Sequence, residues 1–478
     1  MQNLWSHTGR GIAVSALALA LTACQSMRGP EPVAQTSIPS SYTAASGTSV
    51  AEQGYKDFFA DQRLLQVLDM ALNNNRDLRT ATLNIQRAQQ AYQITENNQL
   101  PTIGASGSVL RQDQGGGAQT RYNVLLGVTA YELDFWGRVR SLKDNALDSY
   151  LATQSSRDAT QIALIGQVAQ AWLNYSFANA NLKLADQTLK TQLESYNLNK
   201  KRFDVGIDSE LPVRQAQISV ETARNDVANY KTQVAQAQNL LNLLVGEQVP
   251  SALLPTQRVT RITNTTAFGA GLPSDLLNNR PDIRTAEYRL SAAGANIGAA
   301  KARLFPSISL TGNAGYASTD LSDLFKSGSF VWAVGPSIDL PIFDWGTRQA
   351  NIKISETDQQ IALADYEKSI QSAFREVNDA LAVRQNIGDR LAAQKRLVDA
   401  TNTTYKLSNA RFRAGIDNYL TVLDAQRTSY AAEQGLLLLE QANLNNQVEL
   451  YKSLGGGVKT NTSDVTSQPA SSAERKAQ

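Results

Sequence analysis

The side chains that most often carry out nucleophilic or metal chemistry are scarce: this chain of 478 residues has one cysteine, Cys24, and one histidine, His7. Because residues 1–23 have the pattern of a signal peptide that is removed on export, the mature chain would contain no histidine. A Ser-His-Asp or Cys-His catalytic group and a histidine-based metal site are then excluded. The glycines at 115–117 are not followed by Lys-Ser or Lys-Thr, so they do not match a phosphate-binding loop. We therefore expect no catalytic residues, no metal site and no enzymatic activity.

Cys24 lies in a pattern that predicts a covalent modification. An apolar run of 13 residues, Gly11–Ala23, follows Arg10 and is too short to span a bilayer as a helix. It ends in Leu-Thr-Ala-Cys, which is similar to the lipobox of bacterial lipoproteins, whose cysteine becomes the acylated first residue of the mature protein. We predict a diacylglycerol and an N-acyl chain such as palmitate on Cys24, and no other cofactor. An incidental cysteine behind an ordinary signal peptide is the alternative.

The residues after Cys24 and the charge balance bear on location and partners. Gln25 and Ser26 follow the cysteine, as in similar lipoproteins that are sorted to the outer membrane. Without Arg10 the chain has 44 basic and 43 acidic residues, a net charge of +1. Nucleic-acid-binding proteins usually carry a clear basic excess, so we expect no nucleic-acid partner.

An internal duplication organises the chain. RFDVGID at 202–208 returns as RFRAGID at 411–417, 209 positions later, and NRDLRTA at 75–81 returns as NRPDIRTA at 279–286. Residues 25 to about 50 are rich in Pro, Ser and Thr, and residues 455–478 are polar and rich in Gly, Ser and Thr, which indicates tethers or tails without a core of their own. The predicted segments are a signal peptide at 1–23, a lipidated linker at 24–63, a first repeat at 64–250, an equatorial linker at 251–275, a second repeat at 276–457 and a polar tail at 458–478.

Each repeat is predicted to contain a long helix followed by a return helix. A mostly apolar stripe recurs every seven residues from Gln161 to Phe203 and at the equivalent positions from Ile370 to Phe412, which is typical of coiled-coil packing. No proline interrupts 138–203 or 347–412, and either helix would be about 100 Å long. Valine and leucine at the same spacing mark the first return helix: Val213, Val220, Val227, Val234 and Leu241.

The repeated phrase is predicted to be the tip of each hairpin. Gly206 and Gly415 end the long helices, and the Asp-Ser and Asp-Asn pairs two residues further on are expected to cap the return helices. Pro212 falls in the first turn of the next helix, where its missing N–H costs little. A plain helix-turn-helix corner explains the glycine and the cap. It does not explain the apolar Ile207 and Ile416 at an exposed tip.

Two segments ahead of each long helix alternate between polar and apolar residues, at 102–109, 124–130, 307–316 and 330–340. Aromatic residues cluster where strand meets helix: Tyr131, Phe135, Trp136, Phe343 and Trp345. Such strands suit a transmembrane barrel with an aqueous interior and an aromatic girdle, although a soluble β-sandwich shows the same alternation. The export signal, the lipidation site and the girdle favour the membrane.

The number of strands implies that several copies assemble. Four strands cannot close a membrane barrel, since the smallest use about eight. An open sheet edge cannot be left in lipid. A ring of identical subunits is the ordinary solution, and the strand count alone allows two, three or more copies.

The lipobox, the duplicated R-F-x-x-G-I-D turns, the strand starts LPTI and FPSI, and YLTVLDAQR at 419–427 together resemble the TolC-type outer-membrane factors. Among them, the chain is similar to the lipid-anchored OprM/AdeK-like channels of tripartite RND drug-efflux pumps. The resemblance implies an α+β membrane protein that forms a homotrimer. Four strands per chain would build a 12-stranded transmembrane β-barrel, continued by a long periplasmic α-helical barrel.

The function implied by the resemblance is a passive exit channel in the bacterial outer membrane, lipid-anchored and extending into the periplasm. It would carry antibiotics and other small toxic compounds and so contribute to antibiotic resistance. The implied partners are a periplasmic adaptor (membrane fusion protein), an inner-membrane RND transporter that drives transport, and outer-membrane lipid.

The resemblance also implies two sets of functional residues. The adaptor-docking residues would lie at the hairpin tips: Arg202, Gly206, Ile207, Asp208, Arg411, Gly415, Ile416 and Asp417. The channel gate would follow the second tip, at Leu420, Asp424 and Arg427. Phe412 and Pro212 stand where related channels have tyrosine and aspartate, so a hydrogen-bonded latch between those two positions cannot form here.

Three alternatives stay open from the sequence: a duct for type I protein secretion, a metal-efflux channel, and a pore-less lipid-anchored coiled-coil scaffold. The duplicated strand pairs argue against the scaffold. A soft-metal exporter is expected to line its path with methionine or cysteine, and the chain has only Met1, Met27 and Met70. Organic compounds are therefore favoured as cargo.

Overall fold

The computed structural model describes residues 27–35, 48–49, 53–113, 115, 117–264, 268–269, 277 and 279–456. Cys24 and the tail at 458–478 lie outside the described residues. The described chain divides into two compact units. The first contains residues 27–35, 83–155 and 283–369, and the second contains the described residues of 37–82, 156–282 and 370–456.

The helices, numbered in chain order, repeat with matching lengths. They are α1 (Tyr55–Phe58), α2 (Gln62–Asn74), α3 (Arg76–Asn97), α4 (Arg138–Asp204), α5 (Glu210–Val245), α6 (Pro281–Ala302), α7 (Thr347–Arg413) and α8 (Tyr419–Ser453). The long helices α4 and α7 have 67 residues each, and the return helices α5 and α8 have 36 and 35. The helical hairpins predicted from the heptads are therefore confirmed. Along the described part of the chain, no helix carries an apolar stretch sufficient to cross a membrane.

The heptad stripe of α5 packs inward, as its spacing predicts. Val213, Val220 and Val227 are buried on the same face. The helix ends at Gly246, whose φ of 83° is the left-handed conformation that glycine adopts without strain. A Cβ at Gly246 would lie 2.4 Å from the carbonyl oxygen of Asn74, so the chain needs glycine here for close packing as well as for the turn.

The described strands, numbered in chain order, are β1 (Thr48–Ser49), β2 (Ile103–Asp113), β3 (Ala118–Glu132), β4 (Phe268–Gly269), β5 (Ser307–Ser318) and β6 (Phe330–Asp339). The first unit contains a four-stranded antiparallel sheet. β1 and β4 form a separate short parallel pair, and the larger sheet has the order β2-β3-β5-β6. The four predicted strand segments all lie in this larger sheet.

The register of the sheet separates its two faces. Val124 pairs with Tyr316, which pairs with Phe330, and Ala314 pairs with Trp332, so the apolar positions of neighbouring strands share one face. Trp332 on this face is 70% exposed. The opposite face holds mostly small or polar residues, such as the directly opposed Ser309 and Ser337, whose hydroxyls lie 2.7 Å apart. The predicted alternation is confirmed.

The two Trp-Gly pairs occupy different surroundings although they are repeat partners. Trp136 stacks on Phe305 with ring centroids 4.6 Å apart and donates from Nε1 to the carbonyl oxygen of Pro306 at 2.8 Å. Trp345 is 89% exposed, and its ring meets that of Phe343 edge to face, with centroids 4.6 Å apart. The aromatic residues at this end of the sheet are thus partly structural and partly open.

The core of the second unit is aromatic at its centre. The ring of Phe58 stacks on Tyr451 at 4.2 Å, and Phe59 contacts the same ring edge-on at 5.7 Å. The sequence predicts a linker at 24–63, with residues 25 to about 50 as a tether without a core of its own. Within this linker, Tyr55, Phe58 and Phe59 lie beyond the tether and are buried, because they supply enough apolar surface.

Candidate functional site

The hairpin tips at 205–209 and 414–418 have the same backbone geometry. In the first tip the N–H of Gly206 donates to the carbonyl oxygen of Phe203 at 2.9 Å, and the N–H of Ile207 donates to that of Arg202 at 2.9 Å. The second tip repeats these bonds from Gly415 and Ile416 to Phe412 and Arg411, at 3.0 and 2.9 Å. This pair of bonds is the Schellman motif, in which the glycine takes a positive φ, here 76° and 74°.

Each tip is closed by an ion pair between its own arginine and aspartate. Arg202 Nε donates to Asp208 Oδ2 at 2.5 Å, and the Arg411 guanidinium makes two bonds to the Asp417 carboxylate, at 2.6 and 3.0 Å. The bond from Arg411 lowers the pKa of the Asp417 carboxyl from its ordinary value and raises the pKa of Arg411. Sequence reasoning singled out these four residues but not their mutual pairing.

The expected helix caps are found in one hairpin only. Asn418 accepts a bond from the backbone N–H of Thr421 at 3.2 Å and so caps α8. Ser209 precedes α5 but its side chain makes no capping bond. The aspartates before these residues do not cap the helices because their carboxylates are occupied by the tip arginines.

The apex of each tip is apolar and open. Ile207 and Ile416 are 65% and 63% exposed. In many Schellman motifs the residue at this position packs on an apolar residue three positions before the helix end, but here that position is Arg202 or Arg411. Each tip therefore presents an unpacked isoleucine beside a charge pair that is already satisfied.

A small apolar cluster packs behind the tips. Its buried members are Ala216, Phe412, Tyr419, Val422 and Leu423. The Arg202 guanidinium lies 5.1 Å from the centroid of the Phe412 ring, so the tip of the first hairpin contacts the end of α7. Burial raises the pKa of Tyr419 to about 12, and its hydroxyl has no hydrogen-bond partner among the described residues. Phe412 thus contacts Arg202 through its ring and, unlike a tyrosine, has no hydroxyl to form a hydrogen bond at this position.

Two hydrogen bonds join the return helices α5 and α8. Tyr430 Oη donates to Asp226 Oδ2 at 3.2 Å, and Gln434 Nε2 donates to Tyr230 Oη at 2.9 Å. Burial, with the nearby carboxylate of Asp226, raises the pKa of Tyr430, which keeps this donor protonated. Sequence reasoning missed this inter-helix ladder. Its signal is a pair of polar or aromatic residues four apart on each helix, which is too common to stand out.

The three predicted gate residues lie on one exposed face of α8. Leu420 is 56% exposed, and Asp424 and Arg427 follow at one-turn spacing, also exposed. Neither Asp424 nor Arg427 has an ion-pair partner within 4.0 Å in the part of the chain that is described. The opposite face of the same turns is buried through Val422 and Leu423. The geometry leaves these three side chains available, and their role as a gate stays a prediction.

No group of three or more metal-ligating His, Cys, Asp or Glu side chains occurs among the described residues. The candidate site is therefore a surface of exposed apolar and paired charged groups, suited to contact with another protein.

Two long helical hairpins combined with a four-stranded antiparallel sheet that exposes an apolar face define a TolC-like outer-membrane channel. The open-state MtrE outer membrane channel of Neisseria gonorrhoeae superposes with a TM-score of 0.84 at 38% identity, covering 91% of this chain and 99% of that one. The model of the outer membrane efflux protein family matches residues 67–247 and 272–456. The chain belongs to the outer membrane efflux protein family.

Characterised relatives support the same class. The toluene efflux pump outer membrane protein TtgC of Pseudomonas putida is 44% identical over 434 residues, which cover 89% of this chain and 90% of the relative. The cation efflux system protein CusC of Escherichia coli is 38% identical over 451 residues, 92% of this chain and 97% of that protein. The predicted family, fold, efflux-channel function and outer-membrane location are confirmed.

Proposed function

We propose that the chain is the passive exit channel of a tripartite pump that expels antibiotics, solvents and other small toxic organic compounds. It works as a homotrimer and is a conduit, not an enzyme. A periplasmic adaptor of the membrane fusion class joins it to an inner-membrane RND transporter, which supplies the energy. The toluene pump to which TtgC belongs supports the cargo class.

The edges of the sheet carry this proposal. β2 and β6 are the end strands of the sheet, and each has one edge that no other described strand pairs. Unpaired backbone groups in hydrocarbon cost several kcal/mol each, so an exposed apolar face with open edges requires further strands. Three copies supply 12 strands and close the sheet around its polar face.

Native mass spectrometry in detergent tests the assembly. We expect a trimer in which each subunit carries the mass of a diacylglycerol and an N-acyl chain on Cys24. A stable monomer that stays in aqueous buffer without detergent would contradict the proposal, because it would have no use for an apolar outer face.

The proposed docking partner at the periplasmic end is the helical hairpin of the adaptor. Each chain contributes two tips with nearly identical geometry, so a trimer presents six. Ile207 and Ile416 would enter apolar contacts with the adaptor, and the self-paired Arg-Asp groups would keep the tips in shape without offering free charges.

The proposed gate is formed by Leu420, Asp424 and Arg427 from the three copies. Carboxylates that converge on a narrow axis repel one another and attract cations, so a ring of Asp424 would hold cations at the mouth and disfavour anions. Apolar contact at Leu420 would complete the closure.

Metal cargo is the competing proposal because CusC is named as a cation efflux protein. The chain has three methionines, including the initiator, and one cysteine, which is a poor lining for soft metal ions. Deletion of the gene should lower resistance to toluene and to antibiotics and leave resistance to silver and copper salts unchanged. The opposite pattern would replace organic cargo by metal.

A further inference from the structure

The first Trp-Gly pair lies at a junction that is completed within the chain. Where β3 leads into α4, Trp136 stacks on Phe305 and its Nε1 donates to the carbonyl oxygen of Pro306 at 2.8 Å. Three residues earlier, the N–H of Leu133 donates to the carbonyl oxygen of Ile308 at 2.8 Å. Backbone, ring and indole contacts therefore join the end of β3 to the start of β5, its neighbour in the sheet.

The second Trp-Gly pair lies at an equivalent junction that lacks the neighbouring strand. Trp345 is 209 positions after Trp136, where β6 leads into α7. β6 is an end strand of the described sheet, so the position that β5 takes beside β3 is open beside β6. Ile342, Phe343 and Trp345 are 90%, 71% and 89% exposed. Large apolar groups are thus exposed at the edge where the next strand would pair.

The segment 340–346 is held in a defined shape although it is exposed. Arg348 Nε donates to Asp344 Oδ2 at 2.6 Å, and its Nη2 donates to the carbonyl oxygen of Pro341 at 2.5 Å. Trp345 has a φ of 56°, which is uncommon for a residue with a Cβ. Such a conformation persists where the surrounding structure fixes it, and it often marks a functional contact. The indole is therefore presented in a preset orientation.

The other end strand carries the surface that matches Trp345. The sequence LPTI at 100–103 is the repeat partner of FPSI at 305–308, 205 positions later. The corresponding residues are Leu100 for Phe305, Pro101 for Pro306 and Ile103 for Ile308. Leu100 and Ile103 are 65% and 69% exposed. Because the pair β2-β3 is equivalent to the pair β5-β6, the open edge of β2 is equivalent to the edge of β5 that binds β3.

We propose that Trp345 joins neighbouring copies of the chain. Its ring packs on Leu100 of the next copy, and its Nε1 donates to the carbonyl oxygen of Pro101 of that copy. The N–H of Ile342 donates to the carbonyl oxygen of Ile103 of the same copy, as at the first junction. In a trimer, three junctions within chains then alternate with three equivalent junctions between chains. The inference rests on the proposed trimer and adds the register and the side chains that join its subunits.

The register between copies follows from the same equivalence. Glu132 pairs with Ser309, so Pro341 should pair with Gly104 of the next copy. Hydrogen-bonded pairs alternate along antiparallel strands, and the N–H of Leu133 is bonded to β5, so the N–H of Glu132 points away from β5. The equivalent position in β6 therefore needs no N–H for pairing with the next copy. This is a position at which an edge strand tolerates proline.

A pair of cysteines tests this register. Residues of a non-hydrogen-bonded pair have Cα atoms about 4.5 Å apart, which a disulfide can bridge. A Cβ at Gly104 has no described heavy atom outside its own neighbours within 4 Å, so the substitution is tolerated. Oxidation of the Gly104→Cys, Pro341→Cys double variant in outer-membrane vesicles should link the copies into trimers on denaturing gels. Each single variant should run as a monomer, which also controls for any free thiol at Cys24.

A second cysteine pair is the matched control. Thr102→Cys with Pro341→Cys uses the same face of the same strands, but the two positions would be displaced by two residues, about 7–8 Å apart. This pair should link far more slowly. Links in the control and not in the test pair would overturn the register, and links in neither pair would overturn the junction.

Substitution of Trp345 tests the ring contact. Trp345→Ala should lower by several degrees the temperature at which detergent-solubilised trimers dissociate on native gels. Trp345→Phe, which keeps a ring and loses the indole N–H, should lower this temperature less. Trp332→Ala is the control, because Trp332 is 70% exposed on the apolar face of β6 and would face lipid in the proposed trimer. Equal dissociation temperatures for Trp345→Ala and Trp332→Ala would overturn the proposal and leave Trp345 in contact with lipid.

The native mass of the unaltered protein separates this inference from the proposed function. A monomer would refute both. A trimer that forms no 104–341 link and does not depend on Trp345 would retain the proposed channel and reject the junction.

Discussion

Arg202 and Arg411 each form an ion pair with an aspartate six positions further along the chain, so the conspicuous charges of the repeated phrase stabilise the tip itself. The residue that faces outward is the isoleucine between them, which is about two-thirds exposed in both tips. Because surface ion pairs contribute little and exposed apolar groups gain from burial, docking should depend mainly on the isoleucines.

Replacing both Ile207 and Ile416 by serine should weaken binding of the cognate adaptor. Each isoleucine that becomes buried contributes about 1–2 kcal/mol, so the double variant should lose tenfold or more in affinity. Surface plasmon resonance with purified partners measures this. Ile218→Ser, which removes an isoleucine of similar exposure (59%) from the side of α5, is the matched control. Equal affinities for both variants would remove the tips from the interface.

Tyr419→Phe should stabilise the end of the second hairpin. The hydroxyl of Tyr419 is buried without a described partner, and its removal should stabilise by about 1 kcal/mol. Tyr451→Phe is the control of opposite sign, because the Tyr451 hydroxyl donates to the carbonyl oxygen of Gln53 at 3.2 Å. Thermal melting followed by circular dichroism compares them, and a lower melting temperature for Tyr419→Phe would show that the hydroxyl has a partner.

The stability of the protein at alkaline pH gives a second measurement of the role of Tyr419. Burial raises its pKa from 10.0 in the unfolded chain to about 12 in the folded protein, so ionisation of Tyr419 favours the unfolded chain. The group leaves the free energy of unfolding unchanged below pH 10 and lowers it as the pH rises from 10 toward 12. Tyr419→Phe should therefore lose less stability than the unaltered protein between pH 10 and 12. An identical loss of stability in the variant and the unaltered protein would mean that other groups cause unfolding at alkaline pH.

The helices and strands were largely predictable, and their mutual contacts were not. Heptad spacing and the absence of proline predict α4 and α7 because a long helix needs only a periodic apolar stripe. The ladder pairs residues 204 apart, whereas the tips repeat at 209, so the internal duplication gives no sign of it. Residues 27–35 are held by backbone bonds and by Arg28, which leave no apolar pattern to detect.

The ladder between α5 and α8 should hold the two hairpins of one chain together. Replacing Tyr430 and Tyr230 by phenylalanine removes both hydroxyls and keeps the rings, and should cost about 0.5–1.5 kcal/mol per lost bond. Hydrogen exchange in the middle of both helices should then become faster. Tyr196→Phe, a half-buried tyrosine on α4, is the control. Unchanged exchange would show that packing alone joins these helices.

In the proposed trimer, single residues become rings and open sheet edges become closed pairs. Asp424 can act as a gate only in the trimer, because one exposed carboxylate on α8 blocks nothing, whereas three that face a common axis form a charged constriction. The sequence locates the residues of this ring through a resemblance, and no local pattern in one chain could reveal that they converge.

Leu420→Ala combined with Asp424→Ala should widen and partly neutralise the constriction. Single-channel current in planar bilayers should rise, and the preference for cations should fall. Ser322→Ala, far from α8 in sequence and exposed, serves as the control. The same current and ion preference in the double variant would place the narrowest point elsewhere.

The polar face of the sheet is built largely from the shortest side chains, and its strands approach so closely that a Cβ at Gly315 would lie 2.1 Å from the carbonyl oxygen of Val124. In the proposed trimer this face would be the inner wall of the closed barrel. Such a wall has neither large apolar groups to bind a passing molecule nor bulky groups to exclude one, so small and bulky molecules of the proposed cargo should pass it alike. Cargo must then be selected before it reaches the channel, so one channel can serve several pumps with different specificities.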